Sequence, residues 1–203
     1  MRVKLILMAA GSSRRFGSNK LLYEWQGKYL YRCGLEALLE AARRLETAQE
    51  AVTCQVAVVS RYPQILEDVS GYGNVCGIYS PDSEKGASYT IRAALETKDT
   101  AQWYLFCAAD QPFLQADTVE SLVRETLRSG KGIGRVRSGE HTGNPVIFRA
   151  CYRDALRALS GDEGGRKIIK AHPEDLYELE VCPDELLDAD TSDFFDELVN
   201  DGN

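Results

Sequence analysis

The chain has 203 residues, enough to bury a full core without staples and few enough for one domain. With 44% hydrophobic and 27% charged residues it has the make-up of a globular protein, not of a disordered or fibrous one. A net charge of −7 argues against general nucleic-acid binding, so any anionic ligand must be held by a local cluster of cations.

In chain order, Val3–Ala9 is a continuous apolar run ending at Gly11, the pattern of a buried parallel strand. No run approaches the roughly 18 residues of a membrane helix. The basic and apolar opening flows straight into a polar loop with no extended h-region, so a signal peptide is not expected and a cytoplasmic location is. Residues 10–20 read as a loop. Residues 31–46 carry Leu35, Leu38, Leu39, Ala42 and Leu45 at helical spacing. Thr53–Ser60 predicts a second strand, Pro63–Val69 a short helix and Asn74–Tyr79 a third strand. Ala87–Lys98 predicts a helix opening after Gly86 with Ser88 near its cap.

Trp103–Ala109 is another apolar strand, ended by Asp110-Gln111-Pro112, and Asp117–Arg128 has helical spacing. Gly132–Arg137 and Pro145–Phe148 are short strands flanking a turn at Ser138-Gly139-Glu140. Cys151–Leu159 and Gly165–Ala171 predict helices, Leu176–Val181 a last strand and Ser192–Val199 a last helix. Strands alternating with helices, several uniformly apolar, predict an α/β fold with a mostly parallel sheet covered on both faces. Nothing resembles a linker, so residues 1–203 are expected to form one domain. Ligands in such folds sit beyond the carboxyl ends of the strands, which points to residues 10–20 and to Asp110–Pro112.

The six cysteines form no C-x-x-C pair, a spacing that argues against a zinc site and predicts reduced, mostly buried thiols. His141 and His172 lie in polar segments and read as solvated, and Trp25 and Trp103 as core residues.

The loop Met8-Ala9-Ala10-Gly11-Ser12-Ser13-Arg14-Arg15-Phe16-Gly17-Ser18-Asn19-Lys20 puts glycines, serines and three cations after a strand. Glycines let backbone N–H groups approach phosphate oxygens, and Arg and Lys neutralise them. It is neither a P-loop nor a G-x-G-x-x-G dinucleotide fingerprint. On these grounds it is a phosphate site or, alternatively, a solvated surface turn. Asp110 is in the same way a metal ligand or a turn residue before the helix at Asp117.

The pattern A-x-G-x-S-x-R-[MF]-G-x-x-K resembles the signature of nucleotidyltransferases that activate sugars, isoprenoid precursors and pterin cofactors; Ala9, Gly11, Ser13, Arg15, Phe16, Gly17 and Lys20 match it. Further blocks resemble the molybdenum cofactor cytidylyltransferases among the MobA-like enzymes: Lys85–Ile91 (with Ala87 where Met is usual), Asp110-Gln111-Pro112, Gly143–Phe148, Gly161–Arg166 and Asp188–Thr191.

The resemblance implies a three-layer Rossmann-like nucleotidyltransferase fold with a mixed, mostly parallel sheet. It implies transfer of CMP from CTP to the terminal phosphate of molybdopterin, with release of pyrophosphate. Lys20, Arg15 and Asp110 would be catalytic. Ala9, Ala10, Gly11, Ser12, Ser13, Arg15, Gly17, Lys20 and Ser88 would bind the nucleotide. Asn144, Pro145 and Arg166 would border the acceptor. Mg²⁺ would be held by Asp110 and Asp190, with Asp188 and Asp193 as rivals of the latter.

Ala10, where related guanylyltransferases usually have Gly, would narrow the base pocket and favour CTP over GTP. The alternatives are a guanylyltransferase, an isoprenoid or polyol phosphate cytidylyltransferase, or an accessory factor, altered in acceptor or non-catalytic, that serves a molybdenum hydroxylase. The polyol type usually has Pro where this chain has Asn19.

Overall fold

The structure is a computed structural model that describes residues 1–11, 19–47, 52–98 and 100–189. Strand β1 (Arg2–Met8) is followed by a 3₁₀ turn at Lys20–Leu22 and a small hairpin of β2 (Glu24–Trp25) and β3 (Lys28–Tyr29). Then come α1 (Leu30–Thr47), β4 (Thr53–Ser60), α2 (Pro63–Val69), β5 (Val75–Tyr79), α3 (Ala87–Glu96) and β6 (Trp103–Ala108). The chain continues through α4 (Ala116–Ser129), β7 (Ile133–Ser138), β8 (His141–Arg149), α5 (Arg153–Arg157), α6 (Arg166–Ala171) and β9 (Leu176–Glu180).

Among the described residues the main sheet has seven strands in the order β5-β4-β1-β6-β8-β7-β9. β8 runs antiparallel to both of its neighbours, while the other pairings are parallel. The mixed, mostly parallel sheet with helices on both faces is the Rossmann-like arrangement the sequence implied. Met8 pairs with Val59 on one side and Ala108 on the other, so β1, β4 and β6 end level and their following loops gather at one edge.

Period-two alternation divides the core. Val3, Leu5 and Leu7 face a layer containing Leu35, Leu38, Leu122 and Val123 of α1 and α4. Ile6 faces Ile91 and Leu95 of α3, Phe148 of β8 and Ile168 of α6. Leu5, Ile6 and Leu7 are 0% exposed, and burying each such side chain contributes roughly 1.5–3 kcal/mol.

Lys4 shares the α3 face with Ile6 yet is 1% exposed. Its ammonium donates to the carbonyl of Ala94 at 2.8 Å and to the hydroxyl of Thr97. Arg153 donates to the carbonyls of Leu95 and Thr97. α3 has no basic residue in its own last turn, so cations from β1 and α5 cap its negative end. The opposite, positive end of α3 lies at the carboxyl edge of the sheet.

Several expectations need correction. The helix expected at Cys151–Leu159 is a 3₁₀ turn at Ala150–Tyr152 leading into only Arg153–Arg157. The β2–β3 hairpin was not foreseen, because two-residue strands are too short to show alternation; its turn has positive φ at Gln26 and Gly27, the geometry of a tight hairpin turn. The cysteines are not mostly buried: all six are free, but Cys76, Cys151 and Cys182 are exposed. Cys182 lies beyond the end of β9, where the apolar run no longer faces the core. Trp103 is buried as expected, whereas Trp25 is half-buried and meets Phe113 edge-on at 5.6 Å. His141 is exposed, but His172 is partly covered, its ring 5.1 Å from that of Tyr152. The helix expected at Ser192–Val199 lies outside the described residues. No helix of the described residues is long and apolar enough to cross a membrane.

Candidate active site

The chain leaves β1 under tight control. Ala9 N–H donates to Val59 O at 2.8 Å, and the Ser60 hydroxyl donates to Ala9 O at 2.7 Å. The Tyr62 hydroxyl donates to Gly11 O at 2.7 Å, so the end of β4 clamps the start of the loop. Ser12, Ser13, Arg15 and Gly17 lie outside the described residues. The chain resumes at Asn19, whose side chain accepts from Leu21 N–H at 3.2 Å and caps the 3₁₀ turn. Leu21, 2% exposed, anchors that turn in the core.

Lys20 is thereby held at 8% exposure with Nζ 2.7 Å from Asp110 Oδ2. Asp110 follows β6, the strand beside β1. Its backbone carbonyl accepts from Ala189 N–H at 2.9 Å, which brings the segment before Asp190 to the same place. Asp190 itself lies outside the described residues. Among those described, no group of three or more His, Cys, Asp or Glu residues is arranged to hold a metal ion. Burial, with the charge of Asp110 second, pushes the neighbouring Cys107 thiol far up, so it remains protonated and is no nucleophile.

A cavity of about 370 Å³ is lined by Met8, Ala10, Gly11, Glu84, Gly86, Ala87, Thr90, Ala108 and Asp162, among others; Lys20 and Asp110 are not among its lining residues. Gly86 has φ +133°, and a Cβ there would collide with the carbonyl group of Gly161 and come within 2.7 Å of Asp162 N. Glycine is thus required by both backbone conformation and close approach. Ser88 does not line this cavity: it is 0% exposed, and its hydroxyl donates to Gly161 O at 2.8 Å. It fastens α3 to the loop at Gly161. The hydroxyl residues that do line the cavity are Ser83 and Thr90, and Thr90 donates to Ser83 Oγ at 2.9 Å.

A second cavity, of about 300 Å³, adjoins the first and shares Met8 and Ala87 with it. Of the residues expected to border the acceptor, Asn144 and Arg166 line it; Pro145, joined to Asn144 by a cis peptide bond, does not. Arg166 is exposed and forms no hydrogen bond or ion pair with the described residues. Arg135, Ile91, Phe106 and Phe148 also line this cavity.

Sequence reasoning passed over Ser60, Tyr62 and Arg135. A polar cluster directly after the apolar run of β4 was the available signal for the first two. For Arg135 there was none, since its place depends on sheet register.

The model of the MobA-like NTP transferase domain matches residues 5–176. The chain belongs to this family. It is therefore a nucleotidyltransferase, and the two adjoining cavities lie where its fold places ligands. A probable molybdenum cofactor guanylyltransferase of Bacillus subtilis is 24% identical over 98% of this chain and 95% of its own. The purine catabolism protein PucB of the same organism is 25% identical over 82% of this chain and 80% of its own. The crystal structure of Rv0371c from Mycobacterium tuberculosis shares the fold with a TM-score of 0.77, 20% identity, and coverage of 98% of this chain and 97% of that one.

Proposed function

We propose that this MobA-like transferase moves CMP from CTP to the terminal phosphate of molybdopterin. The observation that carries the reading is the meeting of two cavities at Met8 and Ala87, one lined by the start of the β1 loop and by Ala108, two residues before Asp110, and the other lined by Arg166. A terminal phosphate oxygen of the acceptor attacks the α-phosphorus of the nucleotide. A new P–O bond forms, the bond to the β-phosphate breaks, and pyrophosphate leaves with the electron pair. The attacking oxygen is already ionised, so no side-chain base is needed, and catalysis is positioning and charge stabilisation.

In this reading Lys20 stabilises charge at the α-phosphate, and Arg15 that on the departing pyrophosphate. Arg166 neutralises the acceptor phosphate as it approaches. Asp110 is a carboxylate at a strand end, 24% exposed and paired through Oδ2 with Lys20, which suits Mg²⁺, an ion held by one or two carboxylates with phosphate oxygens and water completing its shell. Asp190, next to the anchored Ala189, would be the second ligand. When bound, Mg²⁺ neutralises phosphate charge between the two substrates.

Ala10, 3% exposed, is among the residues lining the nucleotide cavity, and a methyl in place of hydrogen there supports CTP over the larger GTP. The names of relatives support a second reading, transfer of GMP from GTP. The deciding experiment measures pyrophosphate release from CTP and from GTP with molybdopterin and Mg²⁺. Release from CTP alone supports the first reading and release from GTP alone the second. Release from neither would overturn both and favour a non-catalytic accessory role in molybdenum hydroxylase maturation.

A further inference from the structure

The acceptor cavity holds two arginines in contrasting states. Arg166 has no partner among the described residues, so its full charge is available to an anion. Arg135 is instead compensated. Its Nε donates to Glu178 Oε1 at 2.9 Å, and Nη2 lies 2.8 Å from the same oxygen. Nη1 of Arg135 and Oε2 of Glu178 have no partner among the described residues. A neutralised ion pair that keeps free N–H donors on Arg135, which lines the cavity, and a free oxygen on its neighbour Glu178, which is not among the lining residues, is a poor phosphate grip. It matches instead a neutral edge that offers an acceptor beside a donor.

The position of the pair follows from the sheet. Residues 133, 135, 146 and 148 share the face of Phe106 and Met8, and Arg135 stands beside Glu178 in the β7–β9 register. From β1, where the nucleotide loop begins, to β7 is three strand spacings, roughly 14 Å. The floor between them, Phe106 and Phe148 with Ile91 above, is apolar and suited to the faces of a flat ring.

We propose that Arg135 and Glu178 form a specificity device that reads the donor–acceptor edge of a flat nitrogen heterocycle at the end of the acceptor remote from its phosphate. The proposal rests on the molybdopterin-transfer reading and adds to it the group that recognises the ring. Arg135 supplies a hydrogen bond to a ring carbonyl, and Glu178 accepts from the neighbouring N–H and amino groups. Neither touches the reacting atoms.

The test is fluorescence titration of the intact protein with free pterin and with lumazine, which has oxygen in place of the 2-amino group. Wild type is expected to bind pterin more tightly than lumazine. Glu178→Gln should erase that preference, and Arg135→Gln should weaken pterin binding by roughly 10- to 100-fold, the scale of one hydrogen bond to a charged group. Calorimetry with CTP checks that each variant is folded. Equal binding of the two ring systems by wild type, or a preference that survives in Glu178→Gln, would overturn the proposal. Turnover of molybdopterin with an unchanged acceptor KM in Arg135→Gln would overturn it while leaving the transferase reading intact. Pterin preference in a protein that releases no pyrophosphate would support it while removing that reading.

Discussion

Lys20 Nζ and Asp110 Oδ2 stand 2.7 Å apart, joining the return of the β1 loop to the end of β6. The contact exists because β1 and β6 are neighbours that end level, Met8 opposite Ala108. A cation that can meet a phosphate and an anion that can meet Mg²⁺ are thus fixed relative to one another before either substrate binds. Their attraction is stronger here than on an open surface, because Lys20 is 8% exposed.

Removing either partner should slow chemistry more than binding. Lys20→Ala or Asp110→Asn is expected to lower kcat by about 10²–10³-fold, the scale for losing one preorganised electrostatic group. Pyrophosphate release under saturating substrates checks this. Near-normal turnover in a variant would remove that residue from the mechanism. Asp110→Asn should in addition lose the Mg²⁺ dependence of nucleotide binding in calorimetry.

Ala10→Gly should shift base selectivity toward GTP. Ala10 is among the residues lining the cavity proposed for the nucleotide, and loss of its methyl would free space at that residue. The expected result is a rise in the ratio of kcat/KM for GTP over CTP by roughly 10-fold, within the range a single methyl-sized change in a pocket provides. An unchanged ratio would place base discrimination elsewhere.

Gly86→Ala should destabilise the fold. The φ of +133° and the collision with Gly161 both oppose a side chain, for a cost of about 1–3 kcal/mol or more. Ser88→Ala, losing only the bond to Gly161 O, should cost about 1 kcal/mol. Urea unfolding of the two variants should reproduce that order.

Acid should weaken the link between α1 and α2. The Arg32 guanidinium beside Asp68 holds its carboxyl below the ordinary value of 3.8, against the opposing effect of burial, and the Tyr31 hydroxyl also donates to it. A carboxylate depressed in the folded state binds fewer protons there than when unfolded. Its contribution is therefore complete above the unfolded value and is lost as pH falls through the folded one. The stability gap between wild type and Asp68→Asn should be constant above about pH 5 and shrink steadily below about pH 4. A gap that widens on acidification would refute this assignment.

Much of this was legible from residues alone. The strand at Thr53–Ser60 was legible at its observed bounds because its apolar stretch Val56–Val59 is buried on both faces, which leaves little freedom in composition there. The strand end before Asp110 was legible because strand ends are local signals, and Asn144 and Arg166, singled out through the resemblance, line one cavity. Ser88 could not be read correctly, since whether its hydroxyl meets a ligand or Gly161 depends on the approach of a loop distant in sequence. Arg135 was invisible for the same reason: its partner Glu178 lies on another strand, and only the β7–β9 register joins them. The hairpin at Glu24–Tyr29 escaped because strands of two residues have no period to detect.

The reversal of β8 has a consequence for how such a protein diversifies. A strand running against its neighbours delivers its beginning, Thr142 to Asn144, to the edge where the others deliver their ends. One cavity is therefore lined in part by the short turn from β7, whereas the other is lined by the exits of β1, β5 and β6. Among the described residues the two linings share Met8 and Ala87. In the proposed reading, one substrate can then be exchanged for another largely through changes on one side.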